Sequence, residues 1–233
     1  MVVLALQACE VVHTSSVDVR DIGFVTYHEC AQLMKELQVQ RINDEISDTL
    51  LLVEHEEVVT IGPKARRDGL MPPLDYTTIE VDRGGGLTWH GPGQLVAYPI
   101  FKWGGTNETS VKSIIAQIEQ WVINALAILN IEGQRDERMQ GVWVDGKKIC
   151  SIGLSFLRWV SRHGFTVNFE TPLNRVEDVS GCELGAATTT SLQKLGYAVT
   201  RTALMEALIY SMESSISRRP NMGIENVQSE TRG

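Results

Sequence analysis

The chain has 233 residues, of which 43% are hydrophobic and 21% charged, and its formal net charge is −8. That composition supports one large soluble domain or two small ones, and its acidity excludes a general nucleic-acid binder, which needs a basic face. Its four cysteines (Cys9, Cys30, Cys150 and Cys182) form no CxxC pair, which argues against a zinc site or disulfide framework and for a reducing compartment.

The first nine residues, MVVLALQAC, faintly echo a lipoprotein cleavage site. They lack a basic n-region and their apolar run is too short, so no signal is expected. No stretch reaches the roughly 18 apolar residues of a membrane span. Cys30, Leu33, Met34 and Leu37 recur at helical spacing and predict a helix over 27–43. Residues 49–61, TLLLVEHEEVVTI, predict two short strands around the charged Glu54-His55-Glu56-Glu57. Residues 63–73 read as a loop carrying Lys64, Arg66 and Arg67, the most basic short segment of the chain.

Residues 110–130 are the clearest helix, with Val111, Ile114, Ile115, Ile118, Val122, Ala125 and Leu129 on one face and Thr109 or Ser110 as cap. Residues 141–154, GVWVDGKKICSIGL, predict a hairpin turning at Asp145-Gly146. Strand alternation puts Lys148 in line with Cys150, Ile152 and Leu154, and Lys147 with Ile149, Ser151 and Gly153. A lysine among apolar neighbours is a candidate for partial burial, which disfavours its charge. The alternative is a lysine that snorkels to water beside the turn. Residues 163–169 predict another strand, beginning at its glycine. Residues 178–191 read as a Gly/Thr/Ala-rich loop holding Cys182 between Gly181 and Glu183. Residues 202–216 predict a last helix with Leu204, Leu208 and Met212 inward. The division is one domain over 1–217 and a polar, disordered tail over 218–233.

The most distinctive stretch is 83–99, RGGGLTWHGPGQLVAYP, with five glycines and two prolines in 17 residues. Glycines this dense let main chain approach a ligand closely. A strand over 78–81 runs into the glycine turn, and 95–100 returns as a second strand. His90-Gly91-Pro92-Gly93 forms a tight turn between them that presents His90 and Gln94. The spacing is neither GxxxxGK[ST] nor GxGxxG, so it is no phosphate loop of either kind.

Three blocks together resemble the lipoyl(octanoyl) transferases of lipoate biosynthesis: this RGGGLTWHGPGQ stretch, GVWVDGKKICSIG, and HGFTVNF followed by the Gly181-Cys182 loop. The run 51–62, with its Glu54-His55 pair, also looks like that family's early block. The resemblance covers roughly 21–211. It implies an α+β fold, the single-domain biotin/lipoate-ligase architecture, with a mixed β-sheet flanked by helices. It puts the family's lysine on Lys148 and its nucleophile on Cys182, 34 residues later. Its substrate-contacting segments fall on Arg83, Gly84, Gly85, Gly86, Leu87, Thr88, Trp89 and His90, on Ser151, Ile152 and Gly153, and on Gly164, Phe165 and Thr166. One departure is Gly181, where the family commonly has proline.

The activity so implied moves an octanoyl group from octanoyl-acyl carrier protein, through a cysteine thioester, to the target lysine of lipoyl domains. The acceptors would be lipoyl domains of 2-oxoacid dehydrogenases and the glycine cleavage H protein. No cofactor, metal, nucleic acid or membrane is implied, and the expected location is cytoplasmic. The chemistry suits the residue types: a thiol needs a helper to become thiolate near neutral pH, and a lysine can supply one. Backbone N–H groups near Gly181-Cys182 or Gly84-Gly85 are candidates for the oxyanion site. Cys150 is a minor rival nucleophile, and His90 or His163 a rival base. Lys64, Arg66 and Arg67, or else Arg158 and Arg162, are candidates for docking an acidic carrier. Alternatives on the same residues are an ATP-dependent lipoate or biotin ligase, an acyl-thioesterase, and a non-catalytic lipoyl-domain binder.

Overall fold

The computed structural model describes residues 15–179 and 188–221. Strand β1 (Ser15–Phe24) leads to helix α1 (Tyr27–Ile42), then β2 (Asp48–Glu54), β3 (Val58–Ile61), helix α2 (Pro63–Asp68), β4 (Thr78–Glu80), β5 (Leu87–His90) and β6 (Gln94–Ile100). Helix α3 (Val111–Ile128) follows, then β7 (Val142–Val144), β8 (Lys147–Leu157), β9 (Val160–Asn168), helix α4 (Arg201–Ile216) and β10 (Arg218–Pro220). Seven strands form one mixed sheet in the order β10-β1-β2-β6-β9-β8-β7, and three form a smaller sheet in the order β4-β3-β5. This is the α+β, helix-flanked mixed sheet that the resemblance implies.

The central strands are apolar on both faces because helices cover both. Leu50 and Leu52 of β2, with Leu95 and Ala97 of β6, pack with α3 and α4. The intervening Leu51, Val53, Val96 and Tyr98 pack with Cys30, Met34 and Leu37 of α1. Near-continuous apolar runs are what two-sided burial demands. Helix α1 starts at a capping box, in which Thr26 and Glu29 satisfy each other's backbone N–H groups. Ser110 caps α3, as expected. Val111 departs from the predicted apolar face and lies exposed, while Trp121 and Leu126 are buried.

Two segments differ from their sequence reading. The loop expected over 63–73 opens with a short helix: Pro63 sits at its first turn, where a missing N–H costs nothing, and Gly69 closes it at φ 67°. The tail expected from 218 begins instead with β10, which pairs in parallel with β1. Arg218 is buried. Its guanidinium donates to Asp48 at 2.8 Å and to Glu108 at 2.6 Å, and it lies 4.3 Å over the Trp103 ring. Polar sequence at this position reads as frayed, but these two carboxylates give the buried cation its partners. The residues from 222 onward lie outside the described ones, as do residues 1–14.

Replacing Arg218 with alanine takes the guanidinium from buried Glu108 and leaves Asp48 with Arg41 alone. The expected cost is about 3–5 kcal/mol, seen as a lower urea midpoint with an unchanged denaturant slope.

Candidate active site

Strand β8 carries the first functional group. Val142 pairs with Cys150 and Trp143 with Lys148, so Ile149 is the extra residue of a β-bulge. The bulge changes which face each neighbour takes. Ile149 and Cys150 turn into the core beside Val142, Val144 and Val167. Lys148 instead shares a cleft with Ser151 and Thr166. The simple alternation that aligned Lys148 with Cys150 and Leu154 is therefore corrected. Lys148 is 6% exposed, so it is buried and does not snorkel. Gly141 makes room for it. A Cβ there would stand 2.6 Å from Lys148 Cε and 2.2 Å from the Cys150 carbonyl oxygen, and its φ of 129° is itself a glycine conformation. The Lys148 backbone is held on its other edge: its N–H donates to Thr188 O, and its C=O accepts from Thr190 N–H.

The glycine turn forms the facing wall. Arg83 is buried, and its guanidinium donates to the carbonyls of Thr60, Gly84 and Gly86 and to Thr60 Oγ1. One side chain thus fixes the shape of the turn that follows it. Gly84 N–H donates to Leu154 O at 2.9 Å, docking the turn onto β8. That donor is committed and is no longer a candidate for an oxyanion site. Close approach excludes side chains: a Cβ on Gly153 would meet Gly84 O at 2.9 Å, and one on Gly62 would meet Gly85 O at 2.3 Å. Strands β5 and β6 are joined by the 91–93 turn but belong to different sheets. The turn therefore links two sheets and does not close a hairpin.

A chain of polar groups runs behind the cleft. Gln94 Nε2 donates to Trp89 O and to Asn168 Oδ1, which leaves Gln94 Oε1 to accept from His90 Nδ1 at 2.9 Å. Asn168 Nδ2 donates to Thr190 O, and Thr190 Oγ1 donates to Glu177 Oε1. His90 stacks on Tyr27 and meets His55 edge-on. Burial holds His90 well below the usual imidazole value, reinforced by nearby His55 and Arg83. Burial lowers His55 as well. It also brings His163 down to about 4, against the pull of Asp82. His90 is thus a neutral hydrogen-bond anchor in the wall. Cys150 is fully buried, and burial pushes its thiol up to about 12, the opposite of what a thiolate nucleophile needs.

The cleft has a volume of about 320 Å³. Lys148, Arg83, Gly84, Gly85, Gly86, Leu87, Thr88, Trp89, Ser151, Ile152 and Thr166 all line it. His90, Gly153, Gly164 and Phe165 line a narrow slot of about 20 Å³ that shares Arg83, Thr88, Ser151 and Thr166 with the cleft. Every predicted site residue among the described ones borders one or the other. Cys182 lies outside the described residues, but Val179 before it and Thr188 after it both border the cleft. Sequence reading missed Asn168, Glu177, Val176 and the 138–140 segment. Asn168 had a signal, because it continues the alternation Gly164, Thr166, Asn168 along β9. The 138–140 segment had none. Among the basic candidates, Lys64 borders the cleft and Arg67 is exposed. Arg66 donates to the Ile61 and Val81 carbonyls, and Arg162 pairs with Asp82.

Residues 26–213 match the family model of the lipoyl protein ligase A/B catalytic domain. The octanoyltransferase of Rubrobacter xylanophilus is 38% identical over 189 residues, covering 77% of this chain and 84% of that one. The octanoyltransferase of Syntrophobacter fumaroxidans is 35% identical, covering 75% and 79%. Among solved structures, lipoate-protein ligase A bound with ATP superposes with a TM-score of 0.64 at 13% identity, covering 88% and 87%. The bipartite lipoate protein ligase of Thermoplasma acidophilum, solved with study of its E2 lipoyl domain, gives 0.60 at 14%, covering 89% and 87%. At such identities the structures speak to the fold alone. The chain belongs to the lipoyl protein ligase A/B catalytic-domain family and, within it, to the octanoyltransferases, which are acyltransferases.

The buried histidines make stability depend on pH. An unfolded imidazole titrates near 6.5, above the folded values of His55, His90 and His163. Below 6.5 the unfolded chain takes up protons that the folded one refuses, so stability is full above that pH and falls as pH drops toward 4. His163→Gln removes one such group. Its unfolding free energy is expected to fall less steeply between those limits, by up to about 1.4 kcal/mol per pH unit, measured by denaturant titration across the range.

Proposed function

We propose that this octanoyltransferase carries an octanoyl group from acyl carrier protein to a lipoyl-domain lysine through a thioester on Cys182, with Lys148 moving the protons. The observation that supports this most is the chain on either side of Cys182. Val179 and Thr188 both border the cleft that holds Lys148. Val179 comes three residues before Cys182 and Thr188 six residues after it.

In the first half-reaction the Cys182 thiol gives its proton to the Lys148 amine. The thiolate attacks the donor's thioester carbonyl, the bond to the carrier sulfur breaks, and that sulfur takes the proton from the Lys148 ammonium. In the second half, the acceptor lysine's amine attacks the Cys182 thioester and passes a proton to Lys148. An amide forms and Cys182 leaves as thiolate. The cleft suits an anionic sulfur: among the described residues, Lys64, Arg83, Arg138 and Lys148 line it against one carboxylate, Glu177. Positive neighbours favour thiolate over thiol. The acceptors of this reading are lipoyl domains of 2-oxoacid dehydrogenases and the glycine cleavage H protein. No helix among the described residues is long and apolar enough to cross a membrane.

Incubation with octanoyl carrier protein is expected to add one octanoyl mass to the intact protein, and Cys182→Ala to abolish that adduct. An adduct that survives in Cys182→Ala but vanishes in Cys150→Ala would overturn the assignment. Lys148→Ala is expected to slow acylation by about 10²–10⁴-fold while the melting curve stays cooperative. Near-normal single-turnover rates in that variant would remove Lys148 from the mechanism.

A further inference from the structure

Glu177 takes no part in the proton exchange between Cys182 and Lys148, yet it is the one carboxylate among the described residues that line the cleft. It is 8% exposed. Its two oxygens are used unequally. Oε1 accepts from the Thr190 hydroxyl at 3.1 Å and pairs with the Lys194 ammonium at 2.9 Å. Oε2 is buried and has no hydrogen-bond partner among the described residues. A buried carboxylate oxygen left unsatisfied is costly, and beside a cleft it marks a place that a donor from outside can complete.

The carboxylate is fixed against the site. Thr190, whose hydroxyl it accepts, donates its backbone N–H to Lys148 O and receives Asn168 Nδ2 at its own carbonyl. One residue thus touches both Glu177 and the Lys148 backbone. On the chain around Glu177, Val176 and Val179 pack with Leu87 and Trp89 of β5.

The donor that fits is the amine of an acceptor lysine. An unperturbed lysine titrates near about 10.4 and reaches the cleft as an ammonium with three N–H donors. Lys64, Arg83 and Arg138 line that cleft and repel it. We infer that Glu177 is the binding residue for the acceptor lysine, receiving its ammonium on Oε2 and taking the first of the two protons the amine must lose. The inference rests on the octanoyl-transfer reading. The ammonium gives one proton to the Glu177 carboxylate, which becomes a carboxylic acid, and the positive neighbours favour that loss. The freed amine attacks the Cys182 thioester and passes its second proton to the neutral Lys148 amine. The amide forms, Cys182 leaves as thiolate, and Glu177 returns its proton to water. The first half-reaction brings no ammonium to the cleft, so this role belongs to the second half.

The test uses the full chain and two variants, Glu177→Gln and Thr190→Val, with melting curves to check folding. Glutamine keeps a carbonyl oxygen for Thr190 but loses the charge and the proton acceptor. Valine removes the hydroxyl and leaves the carboxylate. Octanoyl-enzyme is made from octanoyl-carrier protein, freed of donor, and deacylated with a lipoyl domain, n-butylamine or hydroxylamine, followed by intact mass. Near neutral pH butylamine is an ammonium and hydroxylamine is uncharged. In Glu177→Gln the butylamine-to-hydroxylamine rate ratio is expected to fall about 10–100-fold, and the lipoyl-domain-to-hydroxylamine ratio with it. In Thr190→Val both ratios are expected to hold. A Glu177→Gln enzyme that keeps the wild-type ratios overturns the inference. So does a Thr190→Val enzyme that loses them to the same extent, which would make Glu177 an anchor for Thr190 only. Should Glu177→Gln not fold, the wild-type enzyme decides: its deacylation is expected to saturate with butylamine and stay linear with hydroxylamine, and linearity in both overturns the site. A wild-type protein that forms no octanoyl-enzyme sinks the transfer reading instead. Calorimetric affinity of the unacylated protein for the lipoyl domain, wild type against Glu177→Gln, then decides the lysine site.

Discussion

Ile149 is the unpaired residue of a bulge, and its insertion reassigns the faces of β8. Without it, Lys148 would follow Cys150 into the apolar interior and the cleft would hold no amine. With it, the strand sends Cys150 inward and Lys148 into the same space as Ser151 and Thr166. The consequences are chemical as well as geometric. The inward sulfur is held protonated by burial, so the thiol nearest Lys148 in sequence is the one kept from reacting. Gly141 has to be glycine for the same reason: the bulged strand brings Cys150 O and Lys148 Cε to where its side chain would begin.

The opposite wall depends on a second economy of side chains. The glycine turn lies against β8 so closely that the contact is backbone to backbone, from Gly84 N–H to Leu154 O. Such a turn has no side chains of its own to hold its shape. Arg83 supplies that restraint by binding the carbonyls on both sides of it. A guanidinium serves here because its donors fan out in a plane toward several acceptors at once, which an ammonium would not do with the same fixed geometry. Arg83 is thus the frame of this wall of the cleft.

Most elements were legible because two-sided burial writes long apolar runs into β2 and β6 and helical apolar spacing marks α1 and α3, while the sheet order, set by pairings distant in sequence, was not. The Asp145-Gly146 turn was legible too, since both residues take positive φ. The hairpin at Arg158-Trp159 was not, because it uses the same positive φ without asparagine or glycine to announce it. The bulge was hidden for a related reason: KKICS alternates well enough to look like a regular strand, and only pairing with β7 shows the extra residue. Arg218 was misread because charge in a terminal segment ordinarily means solvent. Its two carboxylate partners lie 110 and 170 residues earlier in the chain, too far for any local pattern to reveal. The site residues came from motif resemblance, while the polar chain through Asn168 and Glu177 emerged only when β9 and the 188–190 segment were brought together.

Charge gives the cleft its character against the background of the molecule. The protein as a whole carries −8, yet among the described residues four basic side chains face the cleft against one carboxylate. Two of these cations already serve the structure. Arg83 is bound to carbonyls, and Arg138 lies over Trp143 while pairing with Asp136. Their charge still acts across the cleft, because a field is not used up by a hydrogen bond and a partly enclosed space screens it less than open water. A sulfur entering this space meets a positive potential whichever residue it comes from, the enzyme's own or the donor's. The same potential favours the negative oxygen that develops when a thioester carbonyl is attacked. Net negative charge and a basic cleft are thus separated in space, and the cleft is the part of the molecule whose field favours anionic sulfur and oxygen. At the cleft's border, Lys64 on α2 brings that positive charge toward the surface.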